Sequence, residues 1–151
     1  MAKPFKLEDF LPFRLNVLAQ EVSLRLSEIY TSHFNLDIPQ WRILANLASR
    51  GEMTAQEIAK VTLSHKSTIS RAVTELESRR LIERTTSAVD KRAFSMRLTV
   101  QGQKLFAQLL PMVLQYEREL MDRLSVREQT NLASGLTALE RQLLPDRNAI
   151  E

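Results

Sequence analysis

The sequence of 151 residues contains no cysteine, only three glycines and few aromatic side chains. The absence of cysteine excludes disulfide bonds, metal sites built on thiolates and thiol-based redox sensing. The scarcity of glycine, together with 44% hydrophobic and 26% charged residues, argues against a disordered chain. The composition therefore favours one compact unit that can bury a good core.

Long apolar runs are also missing. No stretch approaches the length that crosses a bilayer, and the start MAKPFKLEDF has no apolar core of a signal peptide. These absences predict a cytoplasmic protein that does not use a membrane as a partner.

The residue sets that carry catalysis or bind metals are absent as well. His33 and His65 are far apart and have no partner at metal-ligand spacing. No carboxylates are paired at a useful spacing, no glycine-rich loop could hold a phosphate, and Ser67 has no His and Asp nearby to activate it. The sequence thus predicts no enzyme, no catalytic residue, no metal and no cofactor.

What the chain does have is positive charge concentrated in its middle. Residues 60–97 contain nine Lys and Arg against four Asp and Glu, which gives this stretch a charge of +5. The whole chain carries only +3, so the remainder is slightly acidic. Such a concentration of charge is typical of a surface that binds a polyanion.

Two short helices joined by a sharp turn are predicted at the start of this basic stretch. Thr54 and Glu57 have the spacing of a capping box, as Asp37 and Gln40 do before them, so one helix should begin at Thr54 and another near Asp37. Thr62 and Leu63 leave room only for a tight turn, after which Ser64 offers a hydroxyl at the expected N-cap of the second helix. The inward stripe of that helix consists of Ile69, Val73 and Leu76.

The outward face of the second helix is composed of short polar and cationic side chains near its N-terminus. These are Ser64, His65, Lys66, Ser67, Thr68, Ser70 and Arg71. Donors placed there suit phosphate oxygens and the base edges of a DNA major groove. A serine-rich face that only meets water explains these residues equally well when they are taken alone.

A β-hairpin is predicted to follow. The alternation of Phe94, Met96 and Leu98 with Ser95, Arg97 and Thr99 predicts one buried and one wet side. Leu81, Ile82 and residues 84–86 supply the partner strand. The intervening loop ends with Lys91 and Arg92, and an arginine at a hairpin tip beside a groove-reading helix is placed to enter the minor groove.

These segments resemble the winged helix-turn-helix of the MarR family of bacterial transcriptional regulators, and the resemblance covers nearly the whole chain. It is carried by Ser67–Leu76 (STISRAVTEL), by Leu81–Arg84, and by Asp90-Lys91-Arg92 followed by Arg97-Leu98-Thr99 and a helix opening near Gly102. The implied fold is mainly α with a small β-hairpin wing. A winged lobe at 37–99 is inserted between dimerisation helices at 8–34 and 101–145, in a single chain spanning 1–151.

The resemblance also implies roles for individual wing residues. Arg92 would be the minor-groove residue, and Asp90 would stabilise the wing by pairing with a nearby arginine such as Arg84. One position departs from the family, which often has glycine where this chain has Arg80. A left-handed residue there costs roughly 1 kcal/mol more without glycine, so the helix end is expected to be built differently.

The predicted helices outside the winged lobe have more apolar surface than one chain can cover. A helix from about Asp9 to Ser32 carries apolar residues on two sides. A long helix from Thr99 to Leu124, with a kink expected at Pro111, and a last helix opened by the capping pair Ser125 and Glu128, each add a leucine-rich stripe. These faces predict a homodimer.

Three residues are candidates for a small-molecule site. Arg14 lies among apolar residues, where it either packs its stem on them with its head in water or receives a ligand carboxylate. Trp41 is either a core anchor or a ring that lines a crevice. The family resembled often binds small aromatic anions between its lobes, which implies a ligand site at Phe10, Arg14 and Trp41.

The predicted function is a sequence-specific DNA-binding regulator. It would be a homodimeric repressor that binds a pseudo-palindromic double-stranded operator. A small effector, an aromatic carboxylate or its thioester, would release it by preferring a dimer with wrongly spaced reading helices. The alternative is a winged-helix module for protein contacts, without ligand control.

Overall fold

The computed structural model describes residues 4–86 and 94–144. The chain divides into two compact units, Met1–Val113 and Leu114–Glu151. In chain order the elements are α1 (Leu11–Phe34), α2 (Ile38–Arg50), β1 (Met53–Thr54), α3 (Ala55–Thr62), α4 (Lys66–Ser78), β2 (Ile82–Thr86), β3 (Phe94–Leu98), α5 (Val100–Met121) and α6 (Val126–Leu143). The fold is therefore mainly helical with one small sheet, as the sequence predicts. In the part of the chain described, no helix combines the length and apolarity of a membrane span.

Three helices begin at capping boxes, each at the position that the sequence predicts. The amide of Gln40 donates to Asp37 at 2.8 Å, and that of Glu57 donates to Thr54 Oγ1 at 3.2 Å. Ser125 caps α6 in the same way, and its hydroxyl and amide both donate to Glu128, which lowers the pKa of that carboxyl. Each box satisfies amides that the first helical turn would otherwise leave unpaired.

The boundaries of two long helices differ from those predicted. The first helix begins at Leu11 instead of Asp9, because Pro12 lacks an amide and belongs in a first helical turn, and it continues to Phe34. It ends where Asn35 adopts the left-handed conformation, with a φ of 50°. The fifth helix ends at Met121 and not at Leu124.

The sheet has the strand order β1-β3-β2, with antiparallel pairing throughout. The two-residue strand β1 lies at one edge of the sheet, where Met53 pairs with Met96 and Thr54 with Ser95. The predicted burial of Phe94 is wrong, because that side chain is exposed while Ser95 is buried. β1 ends opposite Ser95, so Phe94 pairs only with Thr86 of β2, beyond the three-stranded part of the sheet.

The core of the first unit contains side chains from each of the helices α1, α2, α3, α4 and α5 and from the sheet. Its largest fully buried side chains are Tyr30, Leu36, Ile43, Leu44, Ile58, Ile69, Leu76, Leu81 and Leu109. Each such aliphatic side chain contributes about 1.5–3 kcal/mol through burial. The predicted inward stripe of α4 lies in this core. The core therefore sets which face of α4 remains outside.

Candidate nucleic-acid interface

The helix α4 has one buried face and one polar face. Ile69, Ala72, Val73 and Leu76 are buried, as the spacing predicts apart from the addition of Ala72. Of the predicted DNA-binding residues, His65, Lys66, Ser67, Ser70 and Arg71 are exposed, and Ser64 and Thr68 are half-buried. The polar side chains are therefore brought together on the outer surface, at the N-terminal half of the helix.

The start of α4 is built differently from the prediction. The N-cap is His65 and not Ser64, and the His65 side chain makes no capping hydrogen bond. Ser64 instead belongs to the preceding turn, where its amide donates to Ala59 O at 3.0 Å and its hydroxyl to Thr62 O at 3.3 Å. Since no side chain caps α4 there, the positive end of the helix dipole can act on an incoming phosphate.

The turn before α4 depends on a left-handed residue that is not glycine. Leu63 has a φ of 51°, and its amide donates to Lys60 O. Its side chain is 89% exposed. An apolar side chain that stands in water beside the polar face of α4 contributes nothing to the core, so any role it has lies at the surface.

The end of α4 keeps the left-handed backbone for which the family often uses glycine. Arg80 has a φ of 55°, and the amide of Leu81 donates to Leu76 O at 3.0 Å. The hydroxyl of Thr99 donates to Arg80 O at 2.6 Å and accepts from the amide of Gly102 at 3.0 Å. This bond from Thr99 holds the unfavourable conformation of Arg80 and joins the end of α4 to the start of α5.

The wing is attached to α4 by an ion pair. Arg84 on β2 donates through Nε to Glu77 Oε1 at 2.6 Å and through Nη2 to Glu77 Oε2 at 2.9 Å. These bonds raise the pKa of Arg84. A forked pair of this kind is stronger and more directional than a single contact. It fixes the base of the hairpin against the last turn of the helix.

The tip of the wing lies outside the described residues. Asp90, Lys91 and Arg92 all belong to the 87–93 segment, so the predicted minor-groove contact and the predicted pairing of Asp90 stay predictions. Arg84, the arginine expected to pair with Asp90, is engaged by Glu77. Arg97 at the other side of the hairpin base pairs with Glu83 at 2.7 Å.

The residues predicted to bind a small ligand fall in two places. Phe10 is the N-cap residue of α1, half exposed, with its ring 5.8 Å from that of Phe5, and Arg14 is exposed one turn later. Trp41 is half-buried between two rings, stacked on Tyr30 at 5.5 Å and on Phe106 at 5.9 Å. This stacking fits the alternative role of Trp41 as a core anchor.

Tyr30 differs from an ordinary core residue. Its side chain is fully buried, and its hydroxyl has no hydrogen-bond partner among the described residues. Burial raises the pKa of Tyr30 to about 12, because the phenolate would lose its hydration. The hydroxyl therefore stays protonated beside the Trp41 ring at any physiological pH.

Three residues at this interface were missed by sequence reasoning. Glu77 was counted only as an acid in the later turns of α4, and Arg79 only as one of the cations. The partner of Glu77 lies seven positions away on a strand, and those of Arg79 lie 44 and 45 positions away, so no local pattern marks them. Thr99 was expected only to cap α5, and its bond to Arg80 spans 19 positions.

Comparison with known proteins shows which family the chain resembles. A model described as the MarR family matches residues 34–93, which contain α2, α3, α4 and β2. The crystal structure of a MarR/EmrR family transcriptional regulator from Acinetobacter sp. ADP1 superposes with a TM-score of 0.80 at 27% identity, covering 92% of this chain and 98% of that one. The chain is similar to MarR-family transcriptional regulators in these residues and in its fold.

Curated relatives give the same assignment. Transcriptional regulator HosA of Escherichia coli O157:H7 is 28% identical over 95 residues, which is 63% of this chain and 70% of that protein. The HTH-type transcriptional repressor IacR of Pseudomonas putida is 30% identical over 98 residues, or 65% of this chain and 58% of that protein. The comparisons thus support a DNA-binding transcriptional regulator and not an enzyme, as the sequence predicts.

Proposed function

We propose that this protein is a homodimeric repressor of the MarR family that binds a pseudo-palindromic operator and is released from it by a small aromatic anion. The observation that carries the DNA-binding part is the composition of the outer face of α4, where only short polar and cationic side chains stand at the helix N-terminus. Lys66, Ser67 and Arg71 are exposed there, beside a helix start that has no side-chain cap.

In the proposed complex, α4 lies in the major groove. Ser67, Thr68 and Arg71 read base edges, while Lys66 and the helix N-terminus contact phosphates. Arg92 at the wing tip enters the adjacent minor groove. Two-fold symmetry places two copies of α4 about one helical turn of DNA apart. The proposed winged lobe is 37–99.

The roles of Arg71 and Arg92 separate in a binding experiment. Arg71→Ala should weaken operator binding by about 1–3 kcal/mol and relax the base preference at one position, because a base-edge contact is lost. Arg92→Ala should weaken binding by a similar amount and reduce the preference for a narrow minor groove. Fluorescence anisotropy with an operator selected in vitro from random duplexes, and with its single-base variants, measures both effects.

A control for charge is available on α2. Arg50→Ala removes one exposed cation from the last turn of that helix and should leave the base preference unchanged. If Arg71→Ala lost no more affinity than Arg50→Ala, α4 would not be the reading helix. Weak binding that is indifferent to salt in the wild-type protein would favour the protein-contact function instead.

The effector part of the proposal rests on family relatives. One solved structure of the same fold, BpsR of Bordetella bronchiseptica, is described as having its DNA binding regulated by 6-hydroxynicotinic acid, and it is 18% identical to this chain with a TM-score of 0.78. We assign to Arg14 the role of receiving the effector carboxylate, with Phe10 supplying an apolar contact. Trp41 is not part of this site, because it stacks on Tyr30, which lies 16 positions further along α1.

Arg14→Ala tests this assignment. In the wild-type protein, 6-hydroxynicotinic acid or benzoic acid should release operator DNA, as measured by anisotropy. The variant should bind the operator normally and need at least tenfold more acid for release, because a charge-assisted contact is lost. Arg25→Ala on the same helix removes the same charge and serves as the control. Equal responses in all three proteins would assign Arg14 only a packing role.

A further inference from the structure

Arg79 joins the end of α4 to the end of α1. It is the C-cap residue of α4, and it donates through Nη1 to Asn35 O and through Nη2 to Phe34 O, both at 2.8 Å. Phe34 is the last residue of α1 and Asn35 is its left-handed C-cap. One guanidinium therefore holds two consecutive main-chain carbonyls at the end of a helix 44 and 45 positions earlier in the chain.

The chemistry of this contact suits arginine specifically. The last carbonyls of a helix have no partner within it, and they form the negative end of the helix dipole. A cation that also donates two hydrogen bonds satisfies both conditions. A lysine ammonium keeps the charge, but it cannot reproduce the planar fork that reaches both oxygens at once.

The Arg79 contact couples the position of α1 to the position of α4. The C-terminal end of α4 is also bonded to β2 through Glu77 and to Thr99 through Arg80 O, but these two contacts lead to the wing and its exit. The Arg79 contact joins α4 to α1, which is the predicted N-terminal dimerisation helix. A change in the position of α1 would therefore act directly on the end of α4.

The same contact sets Arg79 apart from the other cations of the basic stretch. Both terminal nitrogens of its guanidinium are bonded to main-chain oxygens, and the side chain is half-buried. By charge alone Arg79 would count as one of the phosphate-binding residues of the basic stretch. In the structure it instead binds the carbonyls at the end of α1.

We propose that Arg79 is a positioning residue for operator recognition, which fixes the end of the recognition helix to the end of α1 and so sets how α4 enters the major groove, without touching DNA. This inference rests on the proposed function of α4 as the reading helix. It predicts a loss of sequence preference that is separate from any loss of phosphate contacts.

The test compares Arg79→Ala and Arg79→Lys with the wild type and with the charge control Arg50→Ala. The probes are an operator selected in vitro with the wild-type protein and a random duplex of equal length, each titrated at four salt concentrations. Both Arg79 variants should bind the operator at least tenfold more weakly and bind the random duplex almost normally. The slope of log K against log salt should stay that of the wild type, since no phosphate contact is lost.

Two other outcomes would overturn the proposal. If Arg79 contacts a phosphate, Arg79→Ala should reduce the salt slope by about 0.9 and Arg79→Lys should keep most of the affinity. Operator binding that matched Arg50→Ala would leave Arg79 with no part in recognition. Arg79→Lys retains the charge at the end of α1, and its thermal unfolding curve verifies the fold. Failure of the proposed function itself would appear earlier, as selection that enriches no operator with the wild-type protein.

Discussion

Replacement of Gly102 by alanine is expected to lower the free energy of unfolding by about 3 kcal/mol or more. A Cβ at this position would lie 1.9 Å from Leu81 O and 3.0 Å from Leu81 C, and both are backbone atoms. Backbone cannot rotate away as a flexible side chain does, so the start of α5 and the strand entry at Leu81 would have to separate. Urea denaturation followed by circular dichroism measures the loss.

Gly135→Ala provides the matched control for this prediction. Gly135 lies within α6, and no atom of the described residues comes within 4 Å of a Cβ built there. An alanine should therefore raise stability by about 0.5–1 kcal/mol through the better helix propensity. Equal stability changes in the two variants would contradict the close approach of Gly102 to Leu81.

Gly102→Ala should also weaken operator binding in whatever fraction remains folded. The amide of Gly102 donates to Thr99 Oγ1, and the same hydroxyl holds Arg80 O at the end of α4. Separation of α5 from Leu81 would disturb this bond and release the left-handed Arg80. Binding measured at a temperature where the variant is folded distinguishes this effect from unfolding.

Glutamates on the leucine stripe of α6 are expected to abolish the dimer. Leu132, Leu136, Leu139 and Leu143 recur at helical spacing and are between 36% and 71% exposed. In the double variant Leu136→Glu/Leu139→Glu, two charges would have to be buried in the proposed interface, which is strongly unfavourable. Light scattering coupled to size exclusion should show a folded monomer.

The loss of the dimer should reduce operator affinity by at least about a hundredfold. Each protomer would bind one half-site alone, and the gain from linking two binding events would vanish. Ser134→Glu/Ala138→Glu adds the same charge on the opposite side of α6 and should remain a dimer with normal affinity. A dimeric Leu136→Glu/Leu139→Glu protein would exclude this stripe from the interface.

Features set by residues three or four positions apart are those that the sequence predicts well. The capping boxes at Asp37, Thr54 and Ser125 are confirmed because all their partners lie within one helical turn. The buried stripe of α4 is confirmed for the same reason, since its spacing repeats the helical period.

Features that depend on a neighbouring element are those that the sequence misses. Ser64 was expected to cap α4, yet its amide and hydroxyl donate to carbonyls of the preceding turn. The N-cap is therefore the next residue, His65. Gly51 follows the last residue of α2, where a glycine is commonly a left-handed cap, but its φ of 81° is combined with a ψ of −123°, outside that region. Phe94 is exposed and Ser95 is buried, the reverse of what the alternation along β3 predicts, because burial depends on what packs on each face of the sheet.

The sequence by itself determined which helices form, which face of α4 is polar and where the positive charge is concentrated, because propensity, capping and periodicity act over a few residues. Only the tertiary structure decided that Arg79 holds the end of α1, that Arg84 belongs to Glu77 and that Gly102 must lack a side chain. Those contacts join atoms from segments far apart in the chain. They form when helices and strands pack, and no pattern of neighbouring residues in the sequence indicates them.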